Sequence, residues 1–157
     1  MLQPGDPVPE FELPNADLEM TSFGDYRGNH HLVIYFYPKD DTPGCTMEAI
    51  DFSDRLEEFR QAGAEVIGVS MDNCLSHGEF RDKHGLEITL LADIEGELCR
   101  AFDVLREKEA HGERRLGILR STFVVHRDGT IRHALYDVKP KKHAAEVLEL
   151  VRALPDS

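Results

Sequence analysis

The chain has 157 residues, enough for one domain with a full core, and its 41% hydrophobic content excludes a disordered chain. Its net charge is −12, with 30 acidic against 18 basic side chains and one short basic patch (Lys139, Lys141, Lys142), which disfavours binding to nucleic acid or an anionic membrane. No stretch nears the roughly 18 apolar residues of a membrane span. The first residues lack the basic and apolar regions of a secretory signal, and three cysteines are too few for a disulfide scaffold; the expected location is a reducing cytoplasm.

Pro4-Gly5-Asp6-Pro7 opens the chain as an irregular segment. Phe11-Glu12-Leu13 alternates like a short strand, and Pro14-Asn15 reads as a turn. Leu32-Val33-Ile34-Tyr35-Phe36-Tyr37 is rich in aromatic and β-branched residues, as a buried central strand should be. It runs into Pro38-Lys39-Asp40-Asp41-Thr42-Pro43-Gly44-Cys45, a turn that delivers one cysteine to the start of a helix. Cys45, Ala49, Phe52, Leu56 and Phe59 then recur at spacings of four and three, one face of a helix that Gly63 ends.

Glu65 to Ser70 reads as a second buried strand. Asp72 or Asn73 caps a helix that runs to His84, with Gly85 as its stop. Ile88 to Leu91 is a short strand, and Asp93 caps a helix through Leu98, Ala101 and Phe102. The charged residues 106–116 form a loop or an edge hairpin. Ser121 to His126, the turn Arg127-Asp128-Gly129-Thr130, and Ile131 to Val138 read as a β-hairpin. Lys141 to Leu154 closes the chain as an amphipathic helix. Together these elements predict a three-layer α/β domain over residues 1–157, with a mixed central sheet flanked by helices. Active sites in such sheets gather beyond the carboxyl ends of parallel strands; Cys45 follows one such end, and Ser70 to Cys74 follows another.

A thiol at a helix start meets unpaired backbone N–H groups and the positive end of the helix dipole, and both favour thiolate. Arg120, just before the strand at Ser121, is the best candidate for a further positive charge. Thr42, one turn before Cys45, places a hydroxyl near the sulfur, and Pro38 stiffens the turn and shields the sulfur from water. Glu48, one turn later, can fix Arg120 by a charge-assisted bond. Each residue also has a plainer reading: Cys45 as core filler, Arg120 as a surface arginine, Glu48 as a solvated helix charge. His77 and His84 lack matching ligands nearby and read as structural or exposed, and His30-His31 ends a loop. No metal site, phosphate loop, haem or flavin signature is visible, so no cofactor is expected.

Tyr35-Phe36-Tyr37-Pro38-Lys39-Asp40-Asp41-Thr42-Pro43-Gly44-Cys45-Thr46-Met47-Glu48 resembles the active-site loop of peroxiredoxins, in particular the bacterioferritin comigratory protein (PrxQ) subfamily. The resemblance extends to Pro4–Pro9, to Gly68-Val69-Ser70-Met71-Asp72 with Ser76-His77, to Arg120-Ser121-Thr122-Phe123, and to the turn Asp128-Gly129. It implies a thioredoxin-like fold and a thiol-dependent peroxidase acting on hydrogen peroxide and organic hydroperoxides. Cys45 would be the peroxidatic cysteine, oxidised to sulfenic acid. Thr42 and Arg120 would position the peroxide, with the backbone N–H groups of Gly44 and Cys45 completing the pocket. The implied reductant is thioredoxin, glutaredoxin or glutathione, or another thiol, and the implied assembly is a monomer or weak homodimer.

Two positions depart from the subfamily. A resolving cysteine often lies five residues after the peroxidatic one, where this chain has Ile50, or on the next helix, where it has Phe80-Arg81-Asp82-Lys83. Three recycling routes stay open: an external thiol, Cys74, or Cys99. Either internal route needs local unwinding, because a disulfide requires Cα atoms within about 7 Å. An alternative function is a thiol–disulfide reductase or redox sensor acting through Cys45. Thr42 speaks against a reductase, since it occupies the position where a dithiol partner would sit.

Overall fold

The first segment forms a short antiparallel ribbon, β1 (Glu12–Pro14) with β2 (Met20–Ser22), in which Leu13 lies opposite Thr21. Strand β2 has no apolar periodicity of its own and is created by its pairing with β1. The computed structural model describes residues 1–156 apart from the side chain of Ala110; Ser157, the last residue of the expected domain, lies outside them. The main sheet has five strands in the order β5-β4-β3-β8-β9. These are β3 (His31–Phe36), β4 (Ala64–Ser70), β5 (Thr89–Ala92), β8 (Ser121–Val125) and β9 (Ile131–Leu135). Pairings β3–β4 and β4–β5 are parallel, and β3–β8 and β8–β9 are antiparallel, so the sheet is mixed. All six residues of β3 are buried. A central strand covered on both faces needs a continuous apolar run, which is what the sequence carries.

Strand alternation divides the core in two. Val33, Tyr35 and Tyr37 face a layer built from α1 (Pro43–Asp54), α2 (Leu56–Gln61), α3 (Cys74–His84) and α5 (His143–Arg152). Leu32, Ile34 and Phe36 face the opposite layer, which holds Phe11, Phe23 and α4 (Glu97–Ala101) with Phe102. Cys45 belongs to the first layer and Cys99 to the second.

Several boundaries differ from the sequence reading. The single helix expected from Cys45 to Gly63 is two helices: α1 begins at Pro43, and the chain breaks at Arg55 (φ −100°, ψ 5°) before α2. Phe52, Leu56 and Phe59 nevertheless stay in one core, so the apolar spacing hid the break. Asp93 caps α4 at a distance: Gly96 is the N-cap, while the Asp93 carboxylate accepts from the N–H groups of Leu98 and Cys99 at 3.2 and 2.8 Å. Asn73, by contrast, caps α3 directly, accepting from Ser76 N at 2.8 Å. Residues 106–116 lie in a separate hairpin of β6 (Leu105–Ala110) and β7 (Glu113–Ile118). Its turn holds His111 (φ 54°) and Gly112 (φ 77°), the left-handed pair a tight hairpin requires. Strand β9 ends at Leu135 rather than Val138, and the last helix is shorter than expected, starting after Lys142. No helix among the described residues is long and apolar enough to cross a membrane.

Candidate active site

Beyond Phe36 the chain leaves β3 at the carboxyl end of the parallel strands and turns toward α1. Asp41 takes the left-handed conformation (φ 59°), and Thr42 is extended (φ −96°, ψ 154°) as the N-cap. Pro43 occupies the first helical position, where a missing N–H leaves no bond unmade. The first helical bond runs from Thr46 N to Thr42 O at 2.8 Å. The N–H groups of Gly44 and Cys45 therefore have no helical carbonyl to bind.

The Cys45 side chain is buried in the first core layer. Arg120 reaches it from the start of β8: Nη2 donates to Cys45 Sγ at 3.4 Å, and Nη1 donates to Glu48 Oε1 at 2.7 Å. Glu48 is fully buried, and its Oε2 has no hydrogen-bond partner among the described residues. Burial pushes the Glu48 carboxyl up to about 7 despite the opposing charge and hydrogen bond of Arg120. For Arg120, burial pulls the guanidinium down, but the nearby charges of Glu48 and Cys45 outweigh it and hold it above its ordinary value.

Gly44 is where this arrangement needs a missing side chain. A Cβ there would stand 3.2 Å from Arg120 Nη2 and 3.5 Å from Pro140 Cγ. The segment carrying Pro140 is tied to the same arginine, since Val138 N donates to Arg120 O at 2.9 Å. Behind it, His143 meets the Thr122 hydroxyl at 2.7 Å through Nε2 and packs edge-on against Phe52. Burial holds the His143 imidazole below its ordinary value. Nothing in the sequence patterning marked Pro140 or His143; each is positioned by long-range packing.

Cys45, Arg120, Glu48 and Gly44 thus converge. Pro38 is arranged differently from the sequence reading. The Thr42 hydroxyl donates to Lys39 O at 2.8 Å and so closes the turn. Pro38 is exposed at the outer edge of the loop, and the side chains over Gly44 are those of Arg120 and Pro140. Cys74 opens α3, and all three cysteines are free. Burial, then a hydrogen bond with Asp93, pushes the Cys99 thiol well above its ordinary value. His77 is structural rather than exposed: it is fully buried and bonded to Asp40 of the Cys45 loop at 2.7 Å. The sequence paired neither residue, because 37 positions separate them. His84 likewise meets Asp41, at 2.9 Å.

A buried cysteine, faced by a guanidinium at a helix start beyond a parallel strand, defines a cysteine-based redox enzyme on a thioredoxin-like fold. The AhpC/TSA family model matches residues 4–134, and the chain belongs to that family. Its relatives are of the Bcp/PrxQ kind, thiol-dependent peroxidases. The chain is 42% identical over 152 residues to Peroxiredoxin Bcp of Bacillus subtilis, covering 97% of this chain and 96% of that one. It is 45% identical over 150 residues to Peroxiredoxin Bcp of Xanthomonas campestris, covering 90% and 94%. Among solved structures, the X. campestris bacterioferritin comigratory protein, studied for alkyl peroxide reduction, superposes with a TM-score of 0.86 at 43% identity, covering 91% and 90% of the two chains. A Cys-to-Ser variant of PrxQ from Xylella fastidiosa superposes with a TM-score of 0.91 at 38% identity, covering 98% and 97%.

Proposed function

We propose that Cys45 is the peroxidatic nucleophile of a single-domain peroxidase that reduces hydrogen peroxide and organic hydroperoxides. The observation that carries this reading is the guanidinium of Arg120, which donates to Cys45 Sγ at 3.4 Å while Glu48 holds its other nitrogen. The Cys45 thiolate attacks one peroxide oxygen. The S–O bond forms as the O–O bond breaks, and the leaving oxygen takes the electron pair and a proton to depart as water or an alcohol. Sulfur is oxidised by two electrons and becomes sulfenic acid. Charge develops on the leaving oxygen, so a donor already aimed at the reacting atoms acts where stabilisation counts most. Arg120 and the N–H groups of Gly44 and Cys45 supply those donors. Thr42 positions the peroxide from the turn that its hydroxyl closes, and Pro38 stiffens that turn.

Recycling proceeds by an external thiol. It attacks the sulfenic acid and expels water, and a second thiol releases Cys45 as the mixed disulfide is reduced. Thioredoxin, glutaredoxin or glutathione can serve. The opposite placement of Cys99 disfavours it as an internal partner, since the sheet stands between it and Cys45, and leaves Cys74 at the start of α3 as the internal alternative. The enzyme works in the cytoplasm as a monomer or weak homodimer.

The test mixes reduced protein with one equivalent of peroxide, traps sulfenic acid and locates it by mass spectrometry. Cys45 is expected to carry the label, and Cys45→Ser to consume peroxide no faster than a free thiol. Oxidation of the wild type at a free thiol's pace would sink the peroxidase reading. The same sample without a trap reports on recycling: a Cys45–Cys74 disulfide, together with loss of thiol-coupled turnover in Cys74→Ser, would replace the external route.

A further inference from the structure

The two aspartates that precede Thr42 are both held by α3. At its last turn, Lys83 Nζ donates to Asp41 Oδ2 at 2.6 Å, and His84 Nε2 lies 2.9 Å from Asp41 Oδ1. At its first turn the Ser76 hydroxyl donates to Asp40 Oδ2 at 2.8 Å, and His77 Nδ1 meets the same oxygen at 2.7 Å. Tyr37 donates its hydroxyl to Asp40 Oδ1 at 2.6 Å, and Asp40 N donates to Asp72 Oδ2 at 2.8 Å. Asp40 is therefore fixed through its backbone and through both carboxylate oxygens, and Asp40, Tyr37 and His77 are buried.

The protons of this cluster can be counted. His77 Nε2 lies 2.9 Å from the Leu91 carbonyl oxygen, which only accepts, so Nε2 carries a hydrogen. A second proton lies between Nδ1 and Asp40 Oδ2, because two lone pairs cannot face each other at 2.7 Å. Asp40, Asp72 and His77 bring ligand atoms within 4.8 Å of one another, a spacing a cation could use. With both ring nitrogens engaged, the cluster acts instead as a hydrogen-bonded bolt between α3, β5 and the Cys45 loop.

We propose that His77, acting through Asp40, is a positioning residue for the Cys45 nucleophile. Four residues separate Asp40 from Cys45, and the first of them, Asp41, is held in the left-handed region. A turn so constrained keeps its shape only while neighbours hold it. The bolt holds the loop from the side opposite Arg120, which grips Cys45 and Glu48 from β8. A displacement of about 1 Å at a reacting group can slow a reaction by about 10²-fold, so losing the bolt should show in the rate of oxidation. This inference rests on the reading of Cys45 as the nucleophile.

The test measures the second-order rate of Cys45 oxidation by hydrogen peroxide in full-length protein, by rapid quench and sulfenic-acid trapping, at a temperature where circular dichroism shows each variant folded. Asp40→Ala and His77→Leu should each slow oxidation about tenfold or more. The double variant should be no slower than the slower single one, because both remove the same connection. Asp40→Asn should recover at least about fivefold of the Asp40→Ala loss. Its amide can donate to a neutral His77 Nδ1 while its carbonyl accepts from Tyr37. Where the truncations do not fold, Asp40→Asn should still react faster than His77→Gln, whose amide cannot serve Asp40 and Leu91 together. A folded truncation with the wild-type rate, losses that multiply in the double variant, or an asparagine at 40 no faster than alanine or than glutamine at 77 would each overturn the proposal. Absence of sulfenic acid on wild-type Cys45 would instead defeat the reading of the nucleophile.

Discussion

Gly44 shows how one missing side chain can matter more than several present ones. Its backbone is ordinary helix, so no left-handed conformation demands glycine there; the demand is space, with Arg120 Nη2 only 3.2 Å from where a Cβ would stand. Gly44→Ala should therefore split stability from activity. Alanine favours a helix over glycine by up to about 1 kcal/mol, so the midpoint of urea unfolding should hold or rise. The guanidinium must give by a few tenths of an ångström where it meets Cys45, and the rate of Cys45 oxidation should fall, by up to about tenfold. An unchanged rate in the folded variant would mean that Arg120 shifts freely, and that its 3.4 Å contact with the sulfur is not what the reaction uses.

Among the elements, β3 and β4 carry the site and also the tightest packing. Tyr35 on β3 lies beside Gly68 on β4, and a Cβ at Gly68 would come within 2.7 Å of the Tyr35 ring. The ring stacks on Phe52 of α1 with centroids 4.7 Å apart, which sets the helix bearing Cys45 against the sheet. Its hydroxyl is buried without a partner among the described residues. Tyr35→Phe should remove that unsatisfied group and stabilise the protein by about 1 kcal/mol, read as a melting temperature about 2–4 °C higher. Gly68→Ala should destabilise by about 1–3 kcal/mol, since the buried Tyr35 ring that it meets would have to leave its stack on Phe52. A melting temperature lowered by Tyr35→Phe would show that the hydroxyl has a partner after all. These strands were legible because parallel strands buried on both faces must be apolar throughout, and Leu32 to Tyr37 is. Strand β2 and the break at Arg55 were not, because strand pairing creates one and continuous apolar spacing hides the other. The same division holds at the site. Cys45 and Glu48 stand one helical turn apart and could be read locally, and the family pattern pointed to Arg120. The Asp40–His77 bond spans two elements distant in sequence and had no local signature.

Across the whole molecule, titrating groups pull stability in opposite directions. Hydrogen bonds from the hydroxyl and backbone of Thr130 outweigh desolvation and hold Asp128 down to about 2, and bonds from His84 and Lys83 hold Asp41 below its ordinary value. Such carboxylates add stability above their unfolded values and lose it as pH falls. Burial, then the charge of Arg127, lowers His31 to about 4, so its contribution is also lost on acidification, between its ordinary 6.5 and 4. Glu48 has the reverse sense. Its folded value near 7 exceeds its ordinary 4.5, so between those values the native state keeps a proton that the unfolded chain releases. Its contribution to stability therefore falls as pH rises through that window, against the trend of His31. Glu48→Gln removes one side of this balance. Whatever constant offset follows from altering the partner of Arg120, the stability of the variant relative to wild type should increase from about pH 4.5 to 7 and then level off. The total change should be of order 1–3 kcal/mol for a group this buried. Urea unfolding across that range measures it directly. Parallel curves for the two proteins would place the Glu48 carboxyl at an ordinary value. The desolvated carboxylate behind Arg120 would then already be ionised throughout the range in which the enzyme folds.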